Sequence, residues 1–275
     1  MADYPHFSAL TEQLRRIGRL AVAFSGGTDS MLLLAAAQEA LGIGQVLALT
    51  ASGVLFPEEE TQSAVRFCES RGIAQQCIPF DPLSVPAIAE NPPDRCYHCK
   101  HTLFSRLKAA AAEAGFPVLA DGTNTDDSAD YRPGMRAAAE LDICSPLRDA
   151  GLSKAEIRAV SREMGLPAWN RPAAACLASR IPYGEPLTAE RLSRIAQAED
   201  ALHAMGFVQV RVRDHGLLAR IEVSPDDLPR LTAERAAVSA ACRAAGYTYI
   251  AADLDGYRTG SLNAAVIPDI PPKRG

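Results

Sequence analysis

An apolar run that ends in a glycine turn and leads into a second apolar run constrains this chain more than any other feature. Residues 20–24 are Leu-Ala-Val-Ala-Phe, Ser25-Gly26-Gly27-Thr28-Asp29-Ser30 follows, and residues 31–37 are again apolar. This order predicts a buried strand, a tight turn and a buried helix. Two glycines let the backbone approach an anion closely, and free N–H groups at a helix start point towards negative charge. The segment therefore predicts a phosphate-binding loop.

The same loop carries side chains suited to nucleotide phosphates. Ser25 and Ser30 add hydroxyl donors, and Asp29 is placed to hold a Mg²⁺ ion that bridges phosphates. No Lys follows the second glycine, so the loop is not of the Walker type. The alternative is an ordinary strand–helix turn in which Asp29 or Ser30 caps the helix. The strand–turn–helix context favours the nucleotide hypothesis.

Bulk properties narrow the class of protein. The chain has 275 residues, a net charge of −5 and 48% hydrophobic residues, which suits one large domain or two modest ones. The acidic balance gives no support to broad binding of nucleic acid. Residues 1–10 lack a basic start and an apolar core, so we expect no signal peptide, no membrane segment and a cytoplasmic location. Seven cysteines, two of them in a CxxC, indicate metal or redox chemistry rather than disulfides.

Strand and helix patterns alternate up to about residue 168. This alternation predicts a doubly wound parallel sheet, an α/β fold, as the ATP-binding domain over 1–168. Residues 169–187 are rich in Pro and Gly and predict a linker that carries Cys176, and 188–275 predict a smaller α+β domain, with an extended tail at 267–272. The predicted strands are 20–24, 46–50, 76–80, 117–120, one near 143, 207–213, 217–223 and 247–252. The predicted helices are 30–41, 57–71, 100–114, 134–141, 153–164 with capping-box spacing at its start, 188–205 and 225–245.

A second polar loop follows the strand that ends at Ala120. It reads Asp121-Gly122-Thr123-Asn124-Thr125-Asp126-Asp127. Such a cluster is often only a turn in which Asn and Asp bond their own backbone. Because the carboxyl ends of parallel strands share one edge, we expect Thr123 and Asn124 near the nucleotide and Asp126 or Asp127 near its Mg²⁺.

The cysteines of the CxxC lie far from a third one along the chain. Cys96 and Cys99 have the spacing that lets two thiolates reach one metal, and Cys176 stands downstream. A structural zinc site needs four ligands, with His98 or His101 as the candidate fourth, and a redox CxxC and three unrelated thiols are the alternatives. Ser179 and Arg180 follow Cys176 closely, as Arg171 precedes it, and a guanidinium there favours the thiolate. The remaining cysteines are assigned to the core: Cys68, Cys77, Cys144 and Cys242.

A charged stripe marks the second domain. Strand alternation puts Gln209, Arg211 and Arg213 on one face, and the partner run puts Arg220 and Glu222 together. Arg258 is placed to join them. A stripe of this kind is either the solvated face of a half-covered sheet or an arginine site for phosphate or carboxylate.

Several segments together resemble known families. The 25–30 loop is similar to the SGGxDS loop of the ATP-pyrophosphatase superfamily, whose members split ATP into AMP and pyrophosphate. Over nearly the whole chain the motifs resemble LarE, a family of ATP-dependent sulfur transferases in nickel-pincer nucleotide biosynthesis for lactate racemase. The segments are 25–30, Asp94-Arg95-Cys96-Tyr97-His98-Cys99-Lys100, 121–124, Asp130-Tyr131-Arg132-Pro133-Gly134, 175–184, 210–216 and 255–258.

The resemblance implies a staged reaction on a pyridinium mononucleotide. ATP adenylates a carboxylate of pyridinium-3,5-biscarboxylate mononucleotide, and a sulfur nucleophile then displaces AMP to leave a thiocarboxylate. In family members with one cysteine, the residue matching Cys176 gives up its own sulfur. This chain also has Cys96 and Cys99, and three-cysteine members hold a [4Fe-4S] cluster. The resemblance therefore favours cluster-borne sulfur over sacrifice of Cys176.

The resemblance also implies residue roles and partners. Arg211, Arg213 and Arg258 would hold the substrate phosphate with Glu222 nearby, and the protein would form homo-oligomers that use ATP and Mg²⁺, with an unspecified sulfur donor. Trp169 would lie near the site or serve packing. The ATP-binding residues would be Ser25, Gly26, Gly27, Asp29, Ser30, Gly122, Thr123 and Asn124. The alternatives are a tRNA thiolation enzyme, an amide-forming synthetase such as NAD synthetase, and a zinc-stabilised ATP-binding regulator.

Overall fold

The strand that begins the 20–41 segment lies inside a parallel sheet, and the glycine turn and a helix follow it. The computed structural model describes residues 4–56, 58–129, 133–170 and 176–258. The chain divides into two units, one made of 1–81 and 94–174 and the other of 82–93 and 175–275. Each unit has an apolar core of its own.

The described helices and strands follow one another along both units. Short 3₁₀ turns cover Pro82–Ser84, Thr125–Ala129, Leu177–Arg180 and Pro225–Asp227. In chain order the other elements are α1 (Pro5–Ile17), β1 (Leu20–Ala23), α2 (Thr28–Leu41), β2 (Val46–Ser52), α3 (Glu58–Arg71), β3 (Ala74–Pro79), α4 (Pro86–Ala89), α5 (Arg95–Glu113), β4 (Val118–Ala120), α6 (Pro133–Glu140), α7 (Pro146–Asp149), α8 (Lys154–Glu163), α9 (Ala189–Ala204), β5 (Val210–His215), β6 (Leu218–Val223), α10 (Leu228–Ala233), α11 (Arg235–Ala244) and β7 (Tyr249–Ala252).

The sheet of the first unit has the order β3-β2-β1-β4, with all neighbours parallel. Its central strand is buried on both faces. Leu20 and Val22 pack into the core beneath α1, α2 and α8, whereas Ala21 packs into the core beneath α5 and α6. Helices on both faces explain why the strand is a continuous apolar run. The predicted doubly wound α/β fold is confirmed.

The first unit departs from the predicted elements at three places. The helix predicted from residue 100 begins at Arg95, which places the CxxC at its start. The strand predicted near Ile143 is wrong, because the described chain has there only an isolated bridge between Ala120 and Cys144. Helix α1 was not predicted, although Pro5 at its start and the buried Phe7, Leu10 and Leu14 give it a helical period.

The second unit is a small α+β layer, as predicted. Its sheet has the order β5-β6-β7, with β5 and β6 antiparallel and β6 and β7 parallel. Val210 and Val212 face a core that α9 and α11 complete. The single helix predicted over 225–245 is wrong, since the chain forms a 3₁₀ turn, α10 and α11, separated at Glu234.

Residues 82–93 interrupt the first unit in sequence and pack with the second. The sequence-based domain boundaries at 168 and 188 stay a prediction. Three named segments lie outside the described residues: 130–132, Arg171 and the tail at 267–272. Over the ranges that the structure covers, no helix combines the length and apolar character needed to cross a membrane.

Candidate active site

The glycine loop joins β1 to α2 in a conformation that requires glycine. Gly26 has φ +77°, and a Cβ at this position would stand 3.2 Å from the Glu60 carbonyl oxygen. Gly27 caps α2 without a side-chain bond to the helix N–H groups. The first N–H groups of α2 are therefore placed to receive an anion, with the Ser25 and Ser30 hydroxyls 3.1 Å apart beside them.

The polar loop after β4 lies directly against this helix start. A Cβ on Gly122 would stand 2.9 Å from the Ser30 backbone nitrogen, so only glycine permits the approach. We expected the two loops to meet at one edge of the sheet, and Gly122 and Ser30 lie in contact there. Thr28 also anchors the helix start, because its hydroxyl donates to the Ala168 carbonyl at 2.7 Å.

The 121–127 loop also forms the self-bonded turn that was its alternative interpretation. Asp121 accepts from the Thr123 hydroxyl at 2.6 Å and from the Ser145 hydroxyl at 2.8 Å. The Asn124 side chain accepts from the Asp126 amide at 3.0 Å, and Asp127 accepts from the Asn124 amide. These bonds fix the loop beside the glycine turn. The roles of Thr123 and Asn124 toward ATP stay a prediction.

Lys154 is a residue of this site that the sequence analysis missed. Its ammonium group pairs with the carboxylate of Asp29, and its backbone N–H donates to Asp126 at 2.8 Å. Burial raises the pKa of Asp29, while Lys154 acts in the opposite direction. Asp29 Oδ1 is buried and has no hydrogen-bond partner among the described residues. The carboxylate therefore has one oxygen available to a cation.

The CxxC pair lies at the start of α5, at its second and fifth residues. Cys96 and Cys99 are both half-buried and form no disulfide, and their spacing of three puts them on neighbouring positions of the helix surface. The guanidinium of the buried Arg95 lies 3.7 Å from the Cys96 sulfur. His98 pairs with Asp94 at 3.2 Å. The Arg95 guanidinium is thus placed to donate a hydrogen bond to the Cys96 sulfur.

Cys176 belongs to the second unit and precedes a 3₁₀ turn. Arg180, at the end of that turn, donates to the Cys176 carbonyl at 3.2 Å and to the Ser179 hydroxyl at 3.0 Å. Both carboxylate oxygens of Glu199 accept from Arg180, at 2.9 and 2.7 Å. Arg180 thus holds the backbone at the cysteine. Its support of the thiolate and the convergence of the three thiols stay predictions.

Three members of the charged stripe are buried. Arg211 pairs with Glu222 and Arg213 with Arg220 across the strands, so these side chains share one face. Arg211, Arg213 and Glu222 are 7%, 6% and 1% exposed, so the solvated-face interpretation is wrong for these three, whereas Gln209 and Arg220 are partly exposed. Arg213 donates to Glu222 at 2.6 Å and to the Ser179 carbonyl at 2.8 Å.

Several guanidinium groups lie close together on this face. Burial lowers the pKa of Arg211, and the nearby Arg180 lowers it further. Tyr257 stacks 5.3 Å from the Arg211 guanidinium, and Arg258 pairs with the exposed Asp255 at 3.0 Å. In the described part of the chain, the buried Nε atoms of Arg220 and Arg258 have no hydrogen-bond acceptor. These donors suit an anionic ligand.

The remaining cysteines differ in burial. Cys68 and Cys242 are in the cores as predicted, and burial raises their pKa to about 12 and about 11. Cys144 is half-buried at the edge of a core. Cys77 is exposed on β3, so its assignment to the core is wrong. Trp169 packs 5.3 Å from the Arg162 guanidinium.

Within each unit, the described residues contain no group of three or more His, Cys, Asp and Glu side chains that could hold a metal ion. The donor sets are smaller. The CxxC supplies two thiols, and Asp29 supplies one carboxylate. Each of these donor sets is suited to a metal ion or cluster whose remaining ligands come from other groups.

A parallel sheet with strand order β3-β2-β1-β4 and a glycine loop after β1 defines a nucleotide-binding α/β protein of the PP-loop class. The NAD synthase family matches residues 9–109. An uncharacterized protein of Synechocystis is 39% identical over 90% of this chain and 92% of its own length. The pyridinium-3,5-bisthiocarboxylic acid mononucleotide synthase of Lactiplantibacillus plantarum is 37% identical over 93% of each chain. A tRNA-specific 2-thiouridylase of Rhizobium rhizogenes is 30% identical over 54% of this chain and 47% of its own.

The identity to the Lactiplantibacillus enzyme extends over both units of the fold. The chain belongs to the family of pyridinium-3,5-bisthiocarboxylic acid mononucleotide synthases, the LarE family. The resemblance drawn from the motifs is confirmed.

Proposed function

We propose that this protein is an ATP-dependent sulfur transferase that converts the carboxylates of pyridinium-3,5-biscarboxylic acid mononucleotide to thiocarboxylates. The identity of 37% over 93% of both chains to the synthase of that name carries the substrate assignment. The glycine loop at the start of α2 supports the use of ATP. The net charge of −5 argues against a nucleic acid substrate.

The first step is adenylation of a carboxylate. A substrate carboxylate oxygen attacks the α-phosphorus of ATP, the bond to the β-phosphate breaks, and pyrophosphate leaves from the α2 N-terminus. The N–H groups there, with Ser25 and Ser30, hold the phosphates. Thr123 and Asn124, on the loop that Gly122 brings against Ser30, are the proposed contacts to the rest of the nucleotide.

Asp29 is the proposed Mg²⁺ ligand. Its buried Oδ1 has no partner among the described residues, and a carboxylate oxygen suits Mg²⁺ when phosphates supply further ligands. Lys154, now paired with Asp29, is then released toward the phosphates. In this way Lys154 provides the positive charge that the glycine loop lacks.

Sulfur transfer is the second step. A sulfur nucleophile attacks the acyl carbon, and AMP leaves with the electrons of the carbon–oxygen bond. We propose that Cys96, Cys99 and Cys176 hold a [4Fe-4S] cluster, which supplies reusable sulfur when bound. The half-buried thiols of the CxxC on one helix turn fit thiolate ligation. Sacrifice of the Cys176 sulfur is the alternative source.

Arg211, Arg213 and Arg258 are the proposed ligands of the substrate phosphate. Arg211 and Arg213 are buried on the face that also carries Arg220, so several guanidinium groups lie close together. Buried like charges are costly unless an anion compensates them. A phosphate dianion would do so, and Glu222 would orient Arg213. Homo-oligomerisation and a cytoplasmic location belong to the same proposal and rest on the family resemblance.

Pyrophosphate exchange tests the adenylation step. We expect labelled pyrophosphate to enter ATP only when the pyridinium biscarboxylate mononucleotide is present. Exchange that ignores this substrate, or that depends on tRNA, would contradict the proposal. A Ser30→Ala protein should lose exchange, whereas Ser193→Ala, on the exposed side of α9, should retain it.

Anaerobic purification tests the sulfur source. We expect brown protein with iron and sulfide in equal amounts, and colourless protein from Cys176→Ala. After turnover, the mass of the wild-type chain should be unchanged. A loss equal to hydrogen sulfide at Cys176 would establish sacrifice, and tightly bound zinc would exclude the cluster.

A further inference from the structure

Asn91 has an unusual backbone conformation for a residue other than glycine. Its φ is +56°, and in the described chain only Asp142 shares a positive φ among non-glycine residues. Asn91 is also completely buried, with 0% exposure. Asn tolerates this conformation better than most residues, but at a cost in energy. The surroundings must therefore fix it there.

Those surroundings are the segment that follows Cys176. The Asn91 side-chain amide donates to the carbonyls of Pro182 at 2.7 Å, Glu185 at 3.0 Å and Ile181 at 3.4 Å. The backbone adds two bonds, from Gly184 N–H to the Asn91 carbonyl and from Leu187 N–H to the Ala89 carbonyl, both at 2.8 Å. The buried side-chain amide of Asn91 thus binds three carbonyl groups of the segment 181–185 and fixes the turn of that segment.

We call Asn91 and its bonds to residues 181–187 the clamp. The clamp lies close in sequence to Cys96 on one side and to Cys176 on the other. Asn91 precedes Cys96 by five residues, and Ile181 follows Cys176 by five. Five residues span at most about 18 Å, and the 3₁₀ turn 177–180 makes the second tether shorter, about 10 Å. Without the clamp, the link between Cys96 and Cys176 is 80 residues long.

We propose that Asn91 is a positioning residue that keeps Cys176 within reach of the CxxC. The inference deepens the proposed function, because the three thiols must act on one substrate. A clamp that shortens the link from 80 residues to about ten raises the effective concentration of one thiol at the other about twentyfold for a flexible connection.

The hydrogen bonds and the backbone conformation of Asn91 determine which substitutions test the clamp. Glycine at position 91 accepts the positive φ and removes the three donated bonds. Aspartate keeps the shape but turns the amide into an acceptor that faces carbonyl oxygens. Asp142→Gly is the matched control, since it changes the other described non-glycine residue with positive φ, in the other unit.

Cross-linking tests the reach directly. Metal-free full-length chains with Cys96→Ser are treated with a short bismaleimide, and mass spectrometry counts the peptides joined through Cys99 and Cys176. We expect Asn91→Gly and Asn91→Asp to lower the rate about tenfold relative to the parent and to Asp142→Gly. ATP affinity, measured in parallel well below the unfolding temperature, should stay within about twofold, which a general structural role would not allow.

Three outcomes would overturn the inference. Equal rates in all four chains would show that the clamp does not govern thiol reach, and a parent that fails to cross-link would show that the thiols are not within reach. A parallel loss of ATP affinity would make Asn91 a purely structural residue. Absence of ATP binding in every chain would instead contradict the proposed function, while the cross-linking comparison would still hold.

Discussion

At the residue scale, the positive charge beside the glycine loop comes from a distant helix. Lys154 reaches Asp29 over 125 residues of sequence. The loop itself was predictable, because strand, glycines and helix are contiguous and each imposes a local conformation. Lys154 was not, because its side-chain partner is fixed only when α8 packs on α2. The close approach of Gly122 to Ser30 likewise exists only in the folded sheet.

Lys154→Met tests this cation. Removing a charged donor from a phosphate costs about 1.5–3 kcal/mol, so we expect ATP affinity to fall about tenfold or more. Equilibrium binding of ATP, with and without Mg²⁺, measures the loss. Lys108→Met is the control, since Lys108 donates to the Leu141 carbonyl on an exposed surface. A similar loss in both variants, or in neither, would contradict a role for Lys154.

At the element scale, helix boundaries were predicted best where a local signal marks them. The capping box of α8 is present as its spacing predicted: Ser153 accepts from the Glu156 amide, and Glu156 accepts from the Ser153 amide. The start of α5 has no side-chain cap bond, which explains why the sequence analysis began that helix five residues late. The burial of three members of the charged stripe also escaped prediction, because alternation assigns a face but not what covers it.

Glu156 makes the α8 cap dependent on pH. Its bonds to the Ser153 backbone and side chain, followed by that to His6, lower its pKa to about 2. A lowered pKa adds stability above the unfolded value of about 4.3, and that stability disappears as the pH falls through the folded value. We expect Glu156→Gln to flatten this part of the acid titration between about pH 4.5 and 2, measured by urea unfolding. An unchanged pH slope would contradict it.

The Arg180–Glu199 pair joins α9 to the turn after Cys176. Both side chains are less than a tenth exposed, and Glu199 also accepts from the Val212 amide at 2.8 Å. Glu199→Gln leaves a buried guanidinium without its counter-charge, and we expect a loss of about 3–5 kcal/mol in the free energy of unfolding.

Glu234→Gln provides the comparison in the same unit. Its pair with Arg230 is about 40% exposed, so we expect less than about 0.5 kcal/mol. Chemical denaturation followed by circular dichroism measures both variants. Equal losses would show that burial does not set the energy of the Arg180 pair.

At the scale of the whole molecule, the thiols separate into inert and accessible sets. Cys68 and Cys242 are buried with raised pKa values, whereas Cys77 is exposed. We expect maleimide at neutral pH to modify Cys77 within minutes and to reach Cys68 and Cys242 only after denaturation. Peptide mass spectrometry over time measures this order. Rapid modification of Cys242 in the native protein would contradict the described core.

The division of the chain could be predicted only in part. The Pro- and Gly-rich stretch after Trp169 marks the passage into the second unit, which the sequence shows as a change in pattern. Residues 82–93 are also rich in proline, but nothing local shows which unit they join, because their bonds to 181–187 connect positions about 90 residues apart. Long-range backbone bonds leave no periodic trace in the sequence that makes them.

The insertion of residues 82–93 also has a consequence for how the protein is made. As the chain leaves the ribosome, the first unit emerges with a segment whose nearest carbonyl partner, Ile181, lies 90 residues behind. Until that residue is synthesised, the amide of Asn91 is hydrated rather than enclosed. Folding of this nascent protein therefore ends late. A chain truncated anywhere before Glu185 lacks at least one of the carbonyl groups that bind the Asn91 amide.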